Sequence, residues 1–211
     1  ITDLSTGDIT QNPMSPALFD NVFGIQSEQS PLSPQGHHLN GSRDEDSFTP
    51  LVNISYKIDE DIMAYASATT GFKAGGFDAR ANNINSWEFK EEDATAYEIG
   101  IKSLFLDDTL EVNLAFYRTE YDNLQVSQFD GVLGFNVGNA KETIVQGLEI
   151  DGRWIIRDGL SMQYGVAYLD HEFTDFTNGN CYNRQVPDGD IGADGNQLCD
   201  YTGKSGQFTP K

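Results

Sequence analysis

Basic residues are scarce in this chain. Of 211 residues, 13 are Lys or Arg against 33 Asp or Glu, giving a formal net charge of -20. Such a surface cannot neutralise a row of phosphates, which argues against nucleic acid as a partner. Long hydrophobic runs are missing too. No stretch approaches the roughly 18 apolar residues that a membrane-crossing helix needs, which leaves a membrane barrel open, since its strands are only mildly hydrophobic. No charged-then-apolar leader opens the chain at Ile1, and the expectation is that the sequence begins inside a longer one. Cysteine is rare. Cys181 and Cys199 lie in one polar, glycine-rich loop, where an even pair reads as a disulfide formed in an oxidising compartment; two free thiols are the alternative. No further Cys or His pair completes a metal site, so no metal and no cofactor is expected.

What is present is rhythm. Residues 1–47 hold Pro13, Pro16, Pro31 and Pro34 among Ser, Asn and Gly, and read as a loop region. From Phe48 the text alternates: Val52, Ile54 and Tyr56 interleave with Asn53, Ser55 and Lys57, the period of two that a strand requires. Further strands are expected over 62–73, 93–104, 110–128, 140–156 and from Leu160 onward. Leu110, Val112, Leu114 and Phe116 oppose Glu111, Asn113, Ala115 and Tyr117 most clearly. Tight turns fall near Asp59, Asp107 and Asp158, and longer loops at 76–91, 129–139 and 174–206. In an up-and-down meander every second connection lies on the same side, so all tight turns share one side and all long loops the other. Outer-membrane barrels have that asymmetry. The strands around 110–128 and 140–156 also exceed the ~5–6 residues usual in soluble sheets. Aromatics near strand ends, Phe105 and Trp154 on one side and Phe72, Trp87, Phe89, Tyr121, Phe173 and Phe176 on the other, suit two interfacial girdles.

Four motifs in order then resemble one family. Tyr65 to Phe77 (YASATTGFKAGGF), Phe89 to Lys102 (ending YEIGIK), Leu110 to Val126 (LEVNLAFYRTEYDNLQV) and Asn139 to Glu149 (NAKETIVQGLE) look like consecutive barrel strands of the TonB-dependent receptors, and Gln207 to Lys211 resembles the start of another. The resemblance implies an all-β, antiparallel up-and-down transmembrane barrel, here a partial barrel of about six strands with long extracellular loops. It places 1–47 in an extracellular loop region and 48–211 in the barrel, with the family's plug domain absent from this stretch. It implies a bacterial outer-membrane location, contact with lipid, energised uptake of a scarce ligand such as a ferric siderophore, and coupling to the TonB complex through a plug. The rival readings are a passive outer-membrane porin and a soluble β-sandwich carbohydrate-binding module.

Site expectations follow the pattern. Glu98, Lys102, Glu111, Glu149, Asp151 and Arg153 fall on the face opposite the apolar one and are expected to face the lumen. No catalytic group is expected: His37, His38 and His171 are scattered and no nucleophile stands beside them. The glycines of Gly71–Gly76 are read as strand bending rather than a phosphate cradle, since no helical pattern follows. Asp188, Asp190, Asp194 and Asn196 have oxygens spaced as in a calcium loop, yet the glutamate of an EF-hand is missing; an acidic loop is the expected reading.

Overall fold

A computed structural model describes residues 41–78, 87–129, 135–182, 184–192 and 197–206. Eight strands form among them: β1 (Leu51–Lys57), β2 (Ile62–Lys73), β3 (Gly76–Phe77), β4 (Glu88–Phe89), β5 (Glu92–Phe105), β6 (Leu110–Phe129), β7 (Phe135–Arg157) and β8 (Leu160–Asp175). Six of them make one antiparallel meander in the order β1-β2-β5-β6-β7-β8, while β3 and β4 form a separate ribbon. The chain is all-β, and the meander is a partial barrel wall.

The tight turns are set by local chemistry. The Asp59 carboxylate accepts the N–H groups of Asp61 and Ile62, closing the β1–β2 turn. Leu106, Asp107 and Asp108 take left-handed backbone (φ 55, 54 and 65), tied by the Thr109 N–H and hydroxyl to the Leu106 carbonyl. Gly159, at φ 77, turns β7 into β8 where a side chain would be strained.

Register converts alternation into two distinct faces, because directly paired residues share a face. On one face lie the rows Phe105–Leu110–Trp154–Met162, then Ile101–Leu114–Ile150–Val166, then Ile99–Phe116–Leu148–Tyr168. Val52, Ile54 and Tyr56 of β1 extend this band across the alanines Ala68, Ala66 and Ala64 of β2. The band stays exposed among the described residues, with Val166 at 72% and Ile54 at 68% of full accessibility. It ends abruptly at the row Tyr97–Arg118–Gln146–Asp170, and the next row carries Glu120 and Glu172. From Trp154 to Gln146 the band spans eight residue-to-residue steps, about 27 Å along a strand at ~3.4 Å per residue. At a tilt of ~45° that is about 20 Å of membrane normal, of the order of the ≈25 Å apolar belt of outer-membrane barrels.

The opposite face carries Glu111–Arg153, Lys102–Asn113–Asp151, Gly100–Ala115–Glu149 and Glu98–Tyr117–Gly147 as cross-strand rows. On this face Tyr65 lies where a Cβ would stand on Gly100 and Tyr117 where one would stand on Gly147, and on the apolar face Tyr164 does the same at Gly152. Each ring covers backbone that glycine leaves bare, so the strand keeps its contacts despite missing side chains.

Two expectations change. Of the loop expected over 129–139, Phe129 and residues 135–139 are strand, β6 and β7 staying paired out to Phe129–Phe135, and 130–134 lie outside the described residues. Asn136, Gly138 and Asn139 have turn-forming composition, but their strand is held from the side, the Val137 N–H by Asp78 and the Asn139 side chain by the carbonyls of Asn123 and Lys90. The long-loop girdle also differs. Trp87 stacks on Phe77 in the small ribbon, with centroids 4.5 Å apart, and Phe173 and Phe176 are buried under a loop. Tyr97 and Tyr168 occupy the edge of the apolar band instead.

Candidate ligand-facing loop end

Everything beyond the Arg118 row belongs to the long-loop end, and there the segments clamp one another. The first clamp is Arg43. Its guanidinium donates to Glu45, Glu88 and Glu91, each at 2.6 Å, and Glu45 in turn accepts the Gly75 N–H. The Glu45 and Glu88 carboxylates hold the Arg43 pKa above its ordinary value, the Glu45 hydrogen bond contributing most. The stretch 41–46 is thereby fixed to the β3–β4 ribbon, with the Phe77 and Trp87 rings against Gly41. The rest of the expected extracellular loop, residues 1–40 with His37 and His38, lies outside the described residues.

The second clamp is the loop after β8. Cys181 and Cys199 form a disulfide, with Cys199 fully buried. The Cys199 and Gly179 backbones exchange hydrogen bonds, and the Asp190 N–H donates to the Thr177 carbonyl. This loop grips the projecting β6–β7 hairpin: the Asn180 N–H donates to Gln128, its side chain to the Phe129 carbonyl, and the Asn178 side chain to the Asn139 carbonyl. Lys141 on β7 donates to Thr177 and Asp190 and lies 3.5 Å from Asp175. That arrangement raises the Lys141 pKa, chiefly through Asp190, and lowers that of Asp190, chiefly through Thr177 and then Lys141. The Asp200 carboxylate is lowered by its bonds to Thr202.

These bonds bear on the calcium-like spacing. Asp190 is occupied by Thr177 and Lys141, and Asp188 accepts the Asp200 N–H. Among the described residues no group of three or more acidic, His or Cys side chains is placed to hold a metal. Asp194 and Asn196 lie outside the described residues.

Between hairpin and loop lies a pocket of about 450 Å³. Its walls hold Phe129 and Phe135, in edge contact with each other, and Phe173, Phe176, Tyr182 and Tyr201, which follow as a chain of ring contacts. Ala140, Phe173 and Phe176 form the buried core beneath, with Leu124 and Val126 packed against it. His171 also lines the pocket; its Nδ1 accepts the Gly206 N–H at 3.0 Å, and burial lowers its pKa. Sequence reasoning placed none of these rings in one site, and it missed Arg43. The available signs were an excess of aromatics in loop text and one cation in the acidic run Arg43–Asp46.

The six residues expected in the lumen share one face, as the rows above show. Tyr65 donates to Glu98 at 2.6 Å, and Asn113 to Glu111 and Asp151 at 3.1 Å. Lys102 lies 5.8 Å from the Tyr65 ring centroid. Among the described residues none of the six forms an ion pair, although Glu111 and Arg153 are direct cross-strand partners.

Residues 22–198 match the family model described as TonB dependent receptor-like, beta-barrel. The chain is 32% identical over 157 residues to a probable TonB-dependent siderophore receptor, PiuA, of Acinetobacter baumannii, covering 71% of this chain and 21% of that protein. It is 27% identical over 134 residues to the ferric-pyoverdine BN7/BN8 receptor of Pseudomonas putida, covering 63% of this chain and 16% of that one. The crystal structure of the siderophore receptor PiuA from Acinetobacter baumannii superposes with a TM-score of 0.48 at 30% identity, over 64% of this chain and 19% of that chain. The chain thus spans 16–21% of the length of these curated relatives.

Proposed function

This chain belongs to the TonB-dependent receptor β-barrel family and is a stretch of an outer-membrane barrel wall, and from that premise we propose that it serves a receptor capturing a ferric siderophore for energised uptake. One observation carries the reading. An exposed apolar band lies on a single face of the meander, bounded by polar rows, with a charged face behind it. Hydrocarbon satisfies the first face, and a wet interior the second. We place Glu98, Lys102, Glu111, Glu149, Asp151 and Arg153 toward that interior. Their charges, unpaired with one another, are then free to meet water or the plug domain through which TonB would pull.

The clamped loop end, from 41–50 through 176–206, supplies the first contacts for the ligand on this reading. Both named relatives are siderophore or ferric-pyoverdine receptors, which supports iron uptake as the task. No bond-making chemistry is assigned to this segment. Uptake of radiolabelled ferric siderophore by iron-starved cells tests the proposal. Accumulation should fall to background without the gene or without TonB. Flux that persists undiminished without TonB would instead make the protein a passive porin.

A further inference from the structure

We propose that the pocket between the β6–β7 hairpin and the disulfide loop binds a small, uncharged aryl group carrying an oxygen acceptor. This rests on the reading of the long-loop end as ligand-facing. Three features select that chemistry. The size, about 450 Å³, lies within the range of small-molecule sites, which are mostly apolar with a few placed polar groups. The walls are rings, so a flat aromatic guest finds edge and face partners on Phe129, Phe173 and Phe176. Finally, among the described residues no Lys, Arg, Asp or Glu lines the pocket. A carboxylate would lose its hydration there and gain no cation from the described walls, which disfavours anions.

Two free donors belong to residues of the pocket wall. Because the His171 Nδ1 accepts the Gly206 N–H, the neutral ring carries its proton on Nε2. That Nε2–H and the Tyr182 hydroxyl have no hydrogen-bond partner among the described residues. Both can donate to an oxygen on the guest. The site therefore suits a neutral aryl arm of a larger ligand rather than an intact anionic metal complex.

Phenol is the direct probe, with benzoate and cyclohexanol as the charged and non-aromatic controls. In detergent micelles, the protein should broaden the proton resonances of phenol beyond the effect of micelles alone, and leave both controls sharp. Ser127→Trp, which fills the pocket from the hairpin, should abolish the broadening. Tyr182→Phe keeps the ring against Tyr201 and should weaken binding about fivefold, the value of one hydrogen bond. Equal broadening of phenol and cyclohexanol, or unchanged binding in Ser127→Trp, overturns the proposal. Protein that still imports its ferric ligand but leaves phenol sharp overturns this site alone and spares the transport reading.

Discussion

In the sheet, Leu114 sits between Ile101 and Ile150, and backbone partners on both sides fix its position. In the loop end, Phe173, Phe176 and Tyr201 meet from β8 and from either end of a long excursion, and side chains fix them. The first region is periodic, with an apolar face left exposed. The second buries its own small core and adds a disulfide, an arginine clamp and a lysine clamp. On the proposed placement the contrast is one of two solvents. Where the solvent is hydrocarbon, backbone pairing must be complete and apolar side chains can stay exposed. Where it is water, order must come from local burial and specific bonds.

The sharpest way to break that contrast is to put a charge on each face of the same strand. Leu114→Arg places a cation in the middle of the apolar band and should cost about 2–4 kcal/mol of folding free energy in bilayers. Ala115→Arg, one residue along and on the polar face, should cost much less. Denaturant titration in lipid vesicles measures both. Equal losses would mean that the exposed band does not meet hydrocarbon.

Removing the disulfide tests the other region. Its cysteines are 18 residues apart, and closing a loop of that order is worth about 3 kcal/mol in the chain-entropy account. Cys181→Ser with Cys199→Ser should therefore expose residues 176–206 to protease while the sheet keeps its unfolding midpoint. If thiol reagents label the folded protein without reductant, the bridge is wrong.

Glycines sharpen the comparison within the sheet itself. A Cβ at Gly152 would run into the Glu111 carbonyl and the Tyr164 ring, whereas one at Gly165 would meet its nearest atom at 3.9 Å. Gly152→Ala should destabilise by about 1–3 kcal/mol through overpacking. Gly165→Ala should be near neutral or slightly stabilising, since alanine has less backbone freedom to lose. Parallel denaturant midpoints decide the matter, and equal losses would remove the tyrosine-over-glycine account.

The two regions also differ in how much could be read in advance. Alternation from Leu110 to Tyr117 gives strand, face and partner face at once, because a slip of one residue would exchange the apolar and the charged faces. The extension of the β6–β7 hairpin to Phe129 and Phe135 was hidden. Asn136, Gly138 and Asn139 have turn composition, and the groups that hold them straight, Asp78 and Lys90, lie some 49 to 59 residues away. The same distance hid the pocket. Phe129, Phe173 and Tyr201 share no period, and only the closing of two loops brings them together.

Acid should separate the regions last and most gently. The Asp190 pKa is lowered in the folded loop by Thr177 and Lys141. A lowered carboxylate stabilises the fold above its unfolded value, ~3.9, and that contribution is lost as pH falls through the folded value. Lys141 is raised, so its share is complete below ~10.4 and is lost only above that. The clasp is therefore intact between these limits. His171 adds an earlier step. Burial lowers its pKa below 6.5, and protonating Nδ1 removes the acceptor for the Gly206 N–H. Protection of loop amides, measured against their intrinsic exchange rates, should fall first as acid protonates His171, at Gly206, and then again at lower pH as Asp190 protonates, at residues 177–190. Amides of β5 and β6 between Ile99 and Phe116 should not respond, since no group of the clasp touches them. Asp190→Asn should remove the second step and leave the first. A sheet that loosens in step with the loop would show that the two regions share one cooperative unit after all.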